Sequence, residues 1–530
     1  MSCSVDVDEE AATIIEPNNH KEAVSDPDYG VEWVKAEKEE VKNMLSNKTF
    51  REVRIADLPM GTRIVSGRWV FKVKPAPDGK VSVFKARIVA RGNETKPGVH
   101  YDDTFAPVAC STTIKLLLAI ATTLGLRLRS VDFKSAFLHA VRGKDQKNIY
   151  MRPPPGAGCP PGKVWLILKA LYGLADSPLL WHKTLVDFLK TLGYKQSSHD
   201  PCLMYKVTSD TFTILTMIVD DILIASKQKA HADELVKALS AKFRTKDLGK
   251  PEYIIGLHIK HDQEKSELLL NQELYLKTIA KRFGVDKSKP VGMPADKGTV
   301  LCKDMKAKPT TKDYRALVGS LIYTVHTRPD VATIVSSLSR FNDCAQTTHY
   351  QAALRVLKYL FHSREKSLRF KPVVKVGNEL VVYSDSSWNT DPETSRSRSG
   401  YIVFFNQCPI AWKSHMQKLV TLSSCEAEYV ALVDAAKEAL WLKNLLADLE
   451  FQQSAVTIYV DNQSAIKLAK HSMVRPRTKH IHMRFHWLRE QVQAGLINLV
   501  YVPTDKNVAD MFTKNLGRIK LQTFLQQLLA

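Results

Sequence analysis

The sequence has few cysteines, no long apolar run and no internal repeat. The eight cysteines are scattered with no Cys-x-x-Cys pair. This argues against a zinc knuckle and for reduced thiols in an intracellular protein. No apolar run approaches the roughly 18–20 residues that span a bilayer, so no membrane partner is expected. The N-terminus lacks the basic-then-apolar order of a secretory signal. The protein is expected to be cytoplasmic or nuclear and not secreted. Acidic residues are in deficit, with 55 Asp and Glu against 76 Lys and Arg, for a net charge of +21. A large chain with that excess usually meets a polyanion. The first 28 residues oppose the trend, holding Asp6, Asp8, Glu9, Glu10, Glu16, Glu22, Asp26 and Asp28 against Lys21. Residues 1–28 read as an acidic disordered tail. The whole chain of 530 residues is long enough for several domains, each with its own core.

What is present is more specific. Asp220 and Asp221 sit back to back inside the apolar run Met217 to Ile224. Residues 213–219 and 222–225 read as strands, with the aspartates as the turn. An acidic pair at a buried hairpin tip is costly, because each carboxylate loses water and repels its neighbour. Divalent cations remove that cost, and two of them about 3.5–4 Å apart can clamp both oxygens of a phosphoryl displacement. The alternative is a solvated Asp-Asp turn. A third acid, Asp132, ends another strand, residues 128–133, and is followed by Phe137.

From Gly377 the pattern changes. Three strands, a long Ala-rich helix, a strand, a helix, a strand and a last helix follow. Asp385 ends the first strand and Asp461 the fourth, with Glu426 and Glu428 between them and Asp510 in the last helical segment. Ser423 and Glu426 fit a capping box, which leaves Glu428 free to face the strand ends. His482 and His486 stand at i, i+4, but no cysteine or acid nearby completes a tetrahedral zinc set.

The segments VDFKSAFL from Val131, IYMRPPPG from Ile149, LKALYGL from Leu168 and VDDILIA from Val219 resemble the reverse transcriptase of copia-type retrotransposons. So do GRWVFKVK from Gly67, FKARIVARG from Phe84, YDDTFAPV from Tyr101 and YRALVGSLIY from Tyr314. TRPD from Thr327, SSCEAEYVAL from Ser423 and TKHIHMRFH from Thr478 extend the likeness, which runs from about Trp33 to about Leu516.

The resemblance implies an α+β and α/β multidomain chain: a right-hand polymerase with fingers, palm and thumb, followed by a ribonuclease H-like α/β domain. The expected parts are fingers and palm over 29–285, a linker with helical thumb and connection over 286–376, and the ribonuclease H-like domain over 377–530. The resemblance also implies magnesium, two ions per site with manganese as a substitute. Asp132, Asp220 and Asp221 would hold one pair, and Asp385, Glu428, Asp461 and Asp510 the other. Lys85 and Arg87 would meet the triphosphate, and Phe137 would exclude a ribose 2′-hydroxyl. The implied partners are an RNA template, a DNA primer, an RNA–DNA hybrid and dNTPs.

The chain also departs from the family pattern. Ile218 stands where the family has Tyr, and Ala175-Asp176-Ser177-Pro178-Leu179 where it has Lys-Gln-Ala-Pro-Arg. Thr95 replaces a Gln, Ser387 replaces an Asp, and the loop after Leu138 is about three residues longer than in the family. A carboxylate at position 176 is expected near template or triphosphate, where repulsion would weaken synthesis. Reversion of Asp176 to Gln and of Leu179 to Arg is then expected to improve it. Three functions stay open on the sequence: reverse transcriptase with ribonuclease H, a degenerate or domesticated copy with ribonuclease H alone, and a catalytically silent nucleic-acid-binding remnant.

Overall fold

A computed structural model describes residues 14–75, 82–143, 146–304, 306–310, 312–372, 378–470 and 482–530. Residues 478–481 of the TKHIHMRFH segment lie outside them.

The chain begins with a short helix α1 (His20–Val24) and a longer one, α2 (Gly30–Ser46). The described part of the acidic tail is therefore ordered. Ala23 is fully buried, His20 Nδ1 lies 2.9 Å from Glu37 Oε1 on α2, and Glu16 accepts from Lys72 Nζ at 2.6 Å. Contacts with the first sheet outweigh the local like-charge repulsion from which disorder was expected.

Strands β1 (Phe50–Arg54), β2 (Ile64–Pro75) and β3 (Ser82–Ala90) follow. Helix α3 (Ser111–Thr123) and β4 (Arg127–Phe133) come next, then β5 (Ile149–Arg152) and β6 (Lys163–Ile167). The first sheet has the order β1-β6-β5-β2-β3. Helix α4 (Ser177–Thr191) leads into β7 (Lys195–Gln196), β8 (Leu203–Val207), β9 (Phe212–Ile218) and β10 (Asp221–Ser226). Helix α5 (Lys229–Lys242) and β11 (Thr245–Gly249) complete a second sheet of order β11-β4-β10-β9-β8-β7. Its central strands are fully buried along Ile222–Ala225, as expected of an apolar run covered on both faces.

A third sheet joins β12 (Tyr253–Ile254), β13 (Leu257–Asp262), β14 (Glu267–Asn271) and β15 (Leu368–Phe370) in that order. Helices α6 (Glu273–Arg282), α7 (Tyr314–Thr324), α8 (Ala332–Ser339) and α9 (Thr347–His362) lie between β14 and β15 and share one core. The expected boundary at 285/286 therefore cuts a unit, because β14 pairs β15 and α6 packs with the later helices. Between α7 and α8, Pro329, which lacks an N–H, opens a 3-10 turn at Pro329–Val331.

The last part holds β16 (Leu380–Ser387), β17 (Arg398–Phe405), β18 (Cys408–Met416), α10 (Ser424–Asp448), β19 (Val456–Val460), α11 (Gln463–Lys470), α12 (His482–Gln493), β20 (Ile497–Tyr501) and α13 (Arg518–Leu528). The sheet order is β18-β17-β16-β19-β20. The β16–β18 meander is antiparallel, and β19 and β20 add in parallel. That is the ribonuclease H-like arrangement. Asn406 and Gln407, at φ 48° and 65°, make the tight hairpin turn that their side chains tolerate.

One apolar core joins α3, the second and third sheets and this last sheet. Polar contacts reinforce the junction. Lys115 Nζ of α3 lies 3.7 Å over the Trp412 ring, and burial pulls its pKa down to about 7. Asp448 at the end of α10 accepts from Ser197 Oγ at 2.6 Å and from Ser198 N at 3.0 Å. No helix among the described residues is long and apolar enough to cross a membrane.

Candidate active sites: two carboxylate centres

The first centre lies where β4, β9 and β10 meet. Asp221 pairs in register with Asp132, and Phe133 N donates to Asp220 O at 2.8 Å. Asp221 also pairs with Ile218 across the hairpin. The turn is therefore Val219–Asp220, and Asp221 opens the second strand, one residue from the turn read in the sequence. Val219 has φ 53°, a conformation that a β-branched residue rarely adopts. Trp181 Nε1 holds it by donating to Val219 O at 2.7 Å. Strain held in place at an acidic hairpin is a feature of functional sites. All three acids are partly buried, and their donors are all oxygen, which suits a hard divalent cation.

Lys85 and Arg87 point from the exposed face of β3, while Ala86 and Ile88 are buried. The Arg87 guanidinium carbon lies 4.5 Å from the centre of the Tyr172 ring. Phe137 is 9% exposed and meets Tyr172 edge-on, with ring centroids 4.8 Å apart. The sequence reading missed Tyr172, although it lies inside the quoted LKALYGL segment.

Asp176 is turned into the protein. It is 4% exposed, and Arg142 Nη1 donates to its Oδ2 at 2.8 Å. Arg142 also donates to Lys147 O at 3.2 Å and His100 O at 3.4 Å. The arginine comes from the lengthened loop after Leu138, so two departures from the family pattern neutralise each other. Leu179 is also buried, at 9% exposure, and an arginine there would carry charge into the core. Pairing and burial give no support to the repulsion expected at 176 or to a gain from either reversion.

The second centre is more compact. Oxygens of Asp385, Glu428 and Asp461 lie within 4.8 Å of one another. Asp385 is 2% exposed and Glu428 7%. Ser386 N donates to Glu428 Oε1 at 3.2 Å, while Glu428 Oε2 is buried without a partner. An orphaned buried carboxylate oxygen among other carboxylates fits a cation site. Ser423 caps α10 by accepting from Glu426 N at 3.2 Å, and Glu426 Oε2 accepts from Leu422 N at 2.7 Å. Glu426 thus reaches back to the backbone, one residue before the cap itself.

Asp510 stands near Asp385: Gly400, the strand partner of Asp385, lies so close to the 3-10 turn Val508–Phe512 that a Cβ there would sit 2.7 Å from Phe512 Cβ. The Asp510 carboxylate, however, is turned to Lys514 and, at 2.5 Å, to Lys520. The structure therefore brings three of the four expected acids together and gives the fourth two ammonium partners. Thr513, which donates to Asp385, and both lysines were missed. Lys514 lies at i, i+4 from Asp510, a spacing that could have been read.

Burial, with the nearby Asp510 and Asp461, raises the Asp385 pKa from 3.8 to about 7. Burial, with Asp385 and Asp461, also raises Glu428 well above its ordinary value. A raised folded-state carboxyl pKa stabilises the fold fully at low pH, and that stability is lost as pH rises through the folded value. Without divalent cations, the melting temperature of the native chain relative to Asp385→Asn should fall between about pH 5 and pH 8. A divalent cation should restore it at the alkaline end, with protons released on binding. A relative melting temperature that rises across this window without cations would contradict the assignment.

Residues 47–297 match the reverse transcriptase (RNA-dependent DNA polymerase) family. The chain is 36% identical over 96% of its length to a retrovirus-related Pol polyprotein from transposon TNT 1-94 of Nicotiana tabacum, covering 38% of that protein. It is 34% identical over 94% of its length to the Pol polyprotein from transposon RE2 of Arabidopsis thaliana, covering 34% of it. The chain thus spans about a third of the length of these curated relatives. The foamy viral protease-reverse transcriptase, solved in complex with dsDNA, matches 89% of this chain at 14% identity and TM-score 0.50, with 83% of that chain covered. A second structure of that viral protein, described as dRH, has 15% identity and TM-score 0.51, and covers 69% of its own chain. These two show a shared fold.

Proposed function

The chain belongs to the copia-type retrotransposon Pol family, and from that premise we propose that it synthesises DNA on an RNA or DNA template and hydrolyses the RNA of RNA–DNA hybrids. The observation that carries this reading is the pair of carboxylate centres, one on β4 and the β9–β10 hairpin, the other where β16, β19 and α10 meet.

In the first centre Asp132, Asp220 and Asp221 are the residues that would hold divalent cations. Arg87 clamps triphosphate oxygens with its planar fork, with Lys85 beside it on the same face. Phe137 closes the space where a ribose 2′-hydroxyl would sit. In the second centre Asp385, Glu428 and Asp461 would hold cations, and Asp510 adds negative charge that Lys514 and Lys520 balance. The cations, magnesium or manganese, supply charge neutralisation and activation of the attacking oxygen at both centres. The buried Arg142–Asp176 pair removes one ground for reading the polymerase as failed, and it supports synthesis and cleavage together over cleavage alone.

The test is primer extension beside hybrid cleavage on the purified chain, with binding to a labelled hybrid followed across salt. Each neutralised phosphate contributes about −0.9 to the slope of log K against log salt on B-form DNA. A steep fall, equivalent to several contacts, is expected from the net charge of +21. A flat response, or a chain inactive in both assays, would sink the proposal.

The nuclease assignment has its own check. Glu428→Gln should stop hybrid cleavage, because it removes the carboxylate with the orphaned oxygen. Glu426→Gln should leave cleavage within about twofold, since Gln also serves in a capping box. Equal loss in both variants would mean that the catalytic glutamate is wrongly assigned.

A further inference from the structure

The end of β4 opposite Asp132 opens on a cavity of about 420 Å³ that neither carboxylate centre uses. Four parts of the chain build it. β4 contributes Arg127, the first turn of α5 Lys229, the residue after β11 Lys250, and β13 His261. Strand pairing brings them together. Arg127 stands opposite Ser226, the last residue of β10, and α5 begins just beyond it. On its other side β4 pairs β11, so Gly249 reaches Ser130 and Lys250 follows. In the turn after β13, Gln263 Nε2 donates to Leu126 O at 3.2 Å, which closes the third sheet against the second.

The charges around this cavity do not cancel. Asp233 is the one acid that lines it among the described residues. That carboxylate is occupied by Arg129, whose Nε also donates to Asp247 Oδ1 at 3.0 Å. Arg127, Lys229 and Lys250 are exposed and have no carboxylate partner among the described residues. Lys250 Nζ donates to His261 O at 2.7 Å and keeps further N–H groups for the cavity. Gln228 does not cap α5 with its side chain, so the first N–H groups of the helix add donors on that side. His261 supplies the buried group. It is 7% exposed, and its ring has no hydrogen-bond partner among the described residues. Burial, then the nearby Lys250, lowers its pKa, so at neutral pH the ring is uncharged and carries one N–H. A buried N–H left unpaired beside three cations is a donor set that lacks an acceptor.

We propose that this cavity binds a compact anion with adjacent phosphoryl groups: Arg127, Lys229 and Lys250 take the phosphoryl oxygens, and His261 donates from the buried side. The arginine fork and the lysine ammoniums both suit such oxygens. At about 420 Å³ the space is that of a small-molecule pocket, not of a lone ion, and three separate cations call for more than one phosphoryl group. A bound anion draws α5 and β13 onto the end of β4 and so ties the third sheet to the second. The site stands apart from DNA synthesis. Asp132 lies at the other end of β4, and Lys85 and Arg87 belong to the first sheet.

The probe is tripolyphosphate, titrated calorimetrically into the full chain in EDTA with no nucleotide present. Arg127→Gln/Lys229→Gln should weaken its binding about tenfold or more, the scale of losing charge-assisted hydrogen bonds. His261→Phe should weaken it about fivefold. Lys38→Gln/Lys42→Gln removes the same charge from exposed positions of α2 and should leave binding within about twofold, as should Arg87→Gln. Hydrogen exchange should slow at the start of α5 and along β13 when the anion binds. Equal weakening by the α2 pair would mean that net charge alone attracts the anion, and would overturn the inference. Loss in Arg87→Gln with no change in Arg127→Gln/Lys229→Gln would overturn it too, by moving the anion to the nucleotide site. A second arm adds a short oligothymidylate, because the phosphoryl groups can come from a free anion or from a nucleic-acid strand. Displacement of tripolyphosphate, by an oligonucleotide whose own affinity falls in Arg127→Gln/Lys229→Gln, supports the site with a strand as its source. Simultaneous binding of both supports it with a free anion as its source. With neither nucleotide nor divalent cation present, the result does not depend on the polymerase reading.

Discussion

Asp220→Asn is expected to reduce templated DNA synthesis by about 10²-fold or more, the scale of removing one preorganised electrostatic group, and to leave hybrid cleavage within about twofold. Asp461→Asn should do the reverse. The two acids belong to different sheets: Asp220 to the hairpin beside β4, and Asp461 to the end of β19 against Asp385 and Glu428. Neither side chain lies in the core that joins the two regions, and an Asn occupies nearly the same volume. The shared core nevertheless makes the test a demanding one. A substitution that loosened it would disturb both centres through α3 and β18, where Lys115 meets Trp412. The measurement is therefore primer extension and hybrid cleavage on each variant, with thermal unfolding alongside. Loss of both activities in a variant that unfolds like the native chain would refute two independent sites.

Much of this architecture is legible in the sequence, for local reasons. Val456–Val460 is a strand with alternating burial, and its period-2 pattern states it directly. The Ser423 cap follows from a side chain that bonds the first turn of its own helix. The acids at Asp132, Asp221, Asp385 and Asp461 could be found because each stands in or beside an apolar strand: Asp132 is the last residue but one of β4, Asp221 opens β10, Asp385 lies inside β16 and Asp461 follows β19. What could not be read depends on pairing across the chain. Which strand partners β14 is fixed by Leu270 meeting Leu368, nearly a hundred residues on, so the boundary at 285 was misplaced. The direction in which Asp510 turns is set by Lys520 on the next helix. The ordering of residues 14–28 depends on Glu37 and Lys72, which composition alone does not reveal.

The Asp176–Arg142 pair is the clearest case of such a long-range contact, and it carries the second large prediction. Read alone, Asp176 looks like a damaging charge. In the fold its partner is 4% exposed and its own side chain 6%, and the arginine also ties His100 and Lys147 to the start of α4. Removing one partner of a buried pair leaves an uncompensated charge at a cost of about 3–5 kcal/mol, whereas replacing both by neutral groups is often close to neutral. Asp176→Gln should therefore destabilise the region around α4 by about 3 kcal/mol or more and lower DNA synthesis, although it restores the family's residue. Arg142→Met should do the same. The double variant Arg142→Met/Asp176→Gln should recover most of the loss, a coupling well above the few tenths of a kcal/mol seen between independent sites. Leu179→Arg, at a buried position of α4, should add to the damage. The checks are the first unfolding transition by circular dichroism and single-turnover nucleotide incorporation for all four variants. Native-like stability with faster incorporation in Asp176→Gln would mean that the carboxylate does oppose the nucleic acid and that the pair with Arg142 contributes nothing.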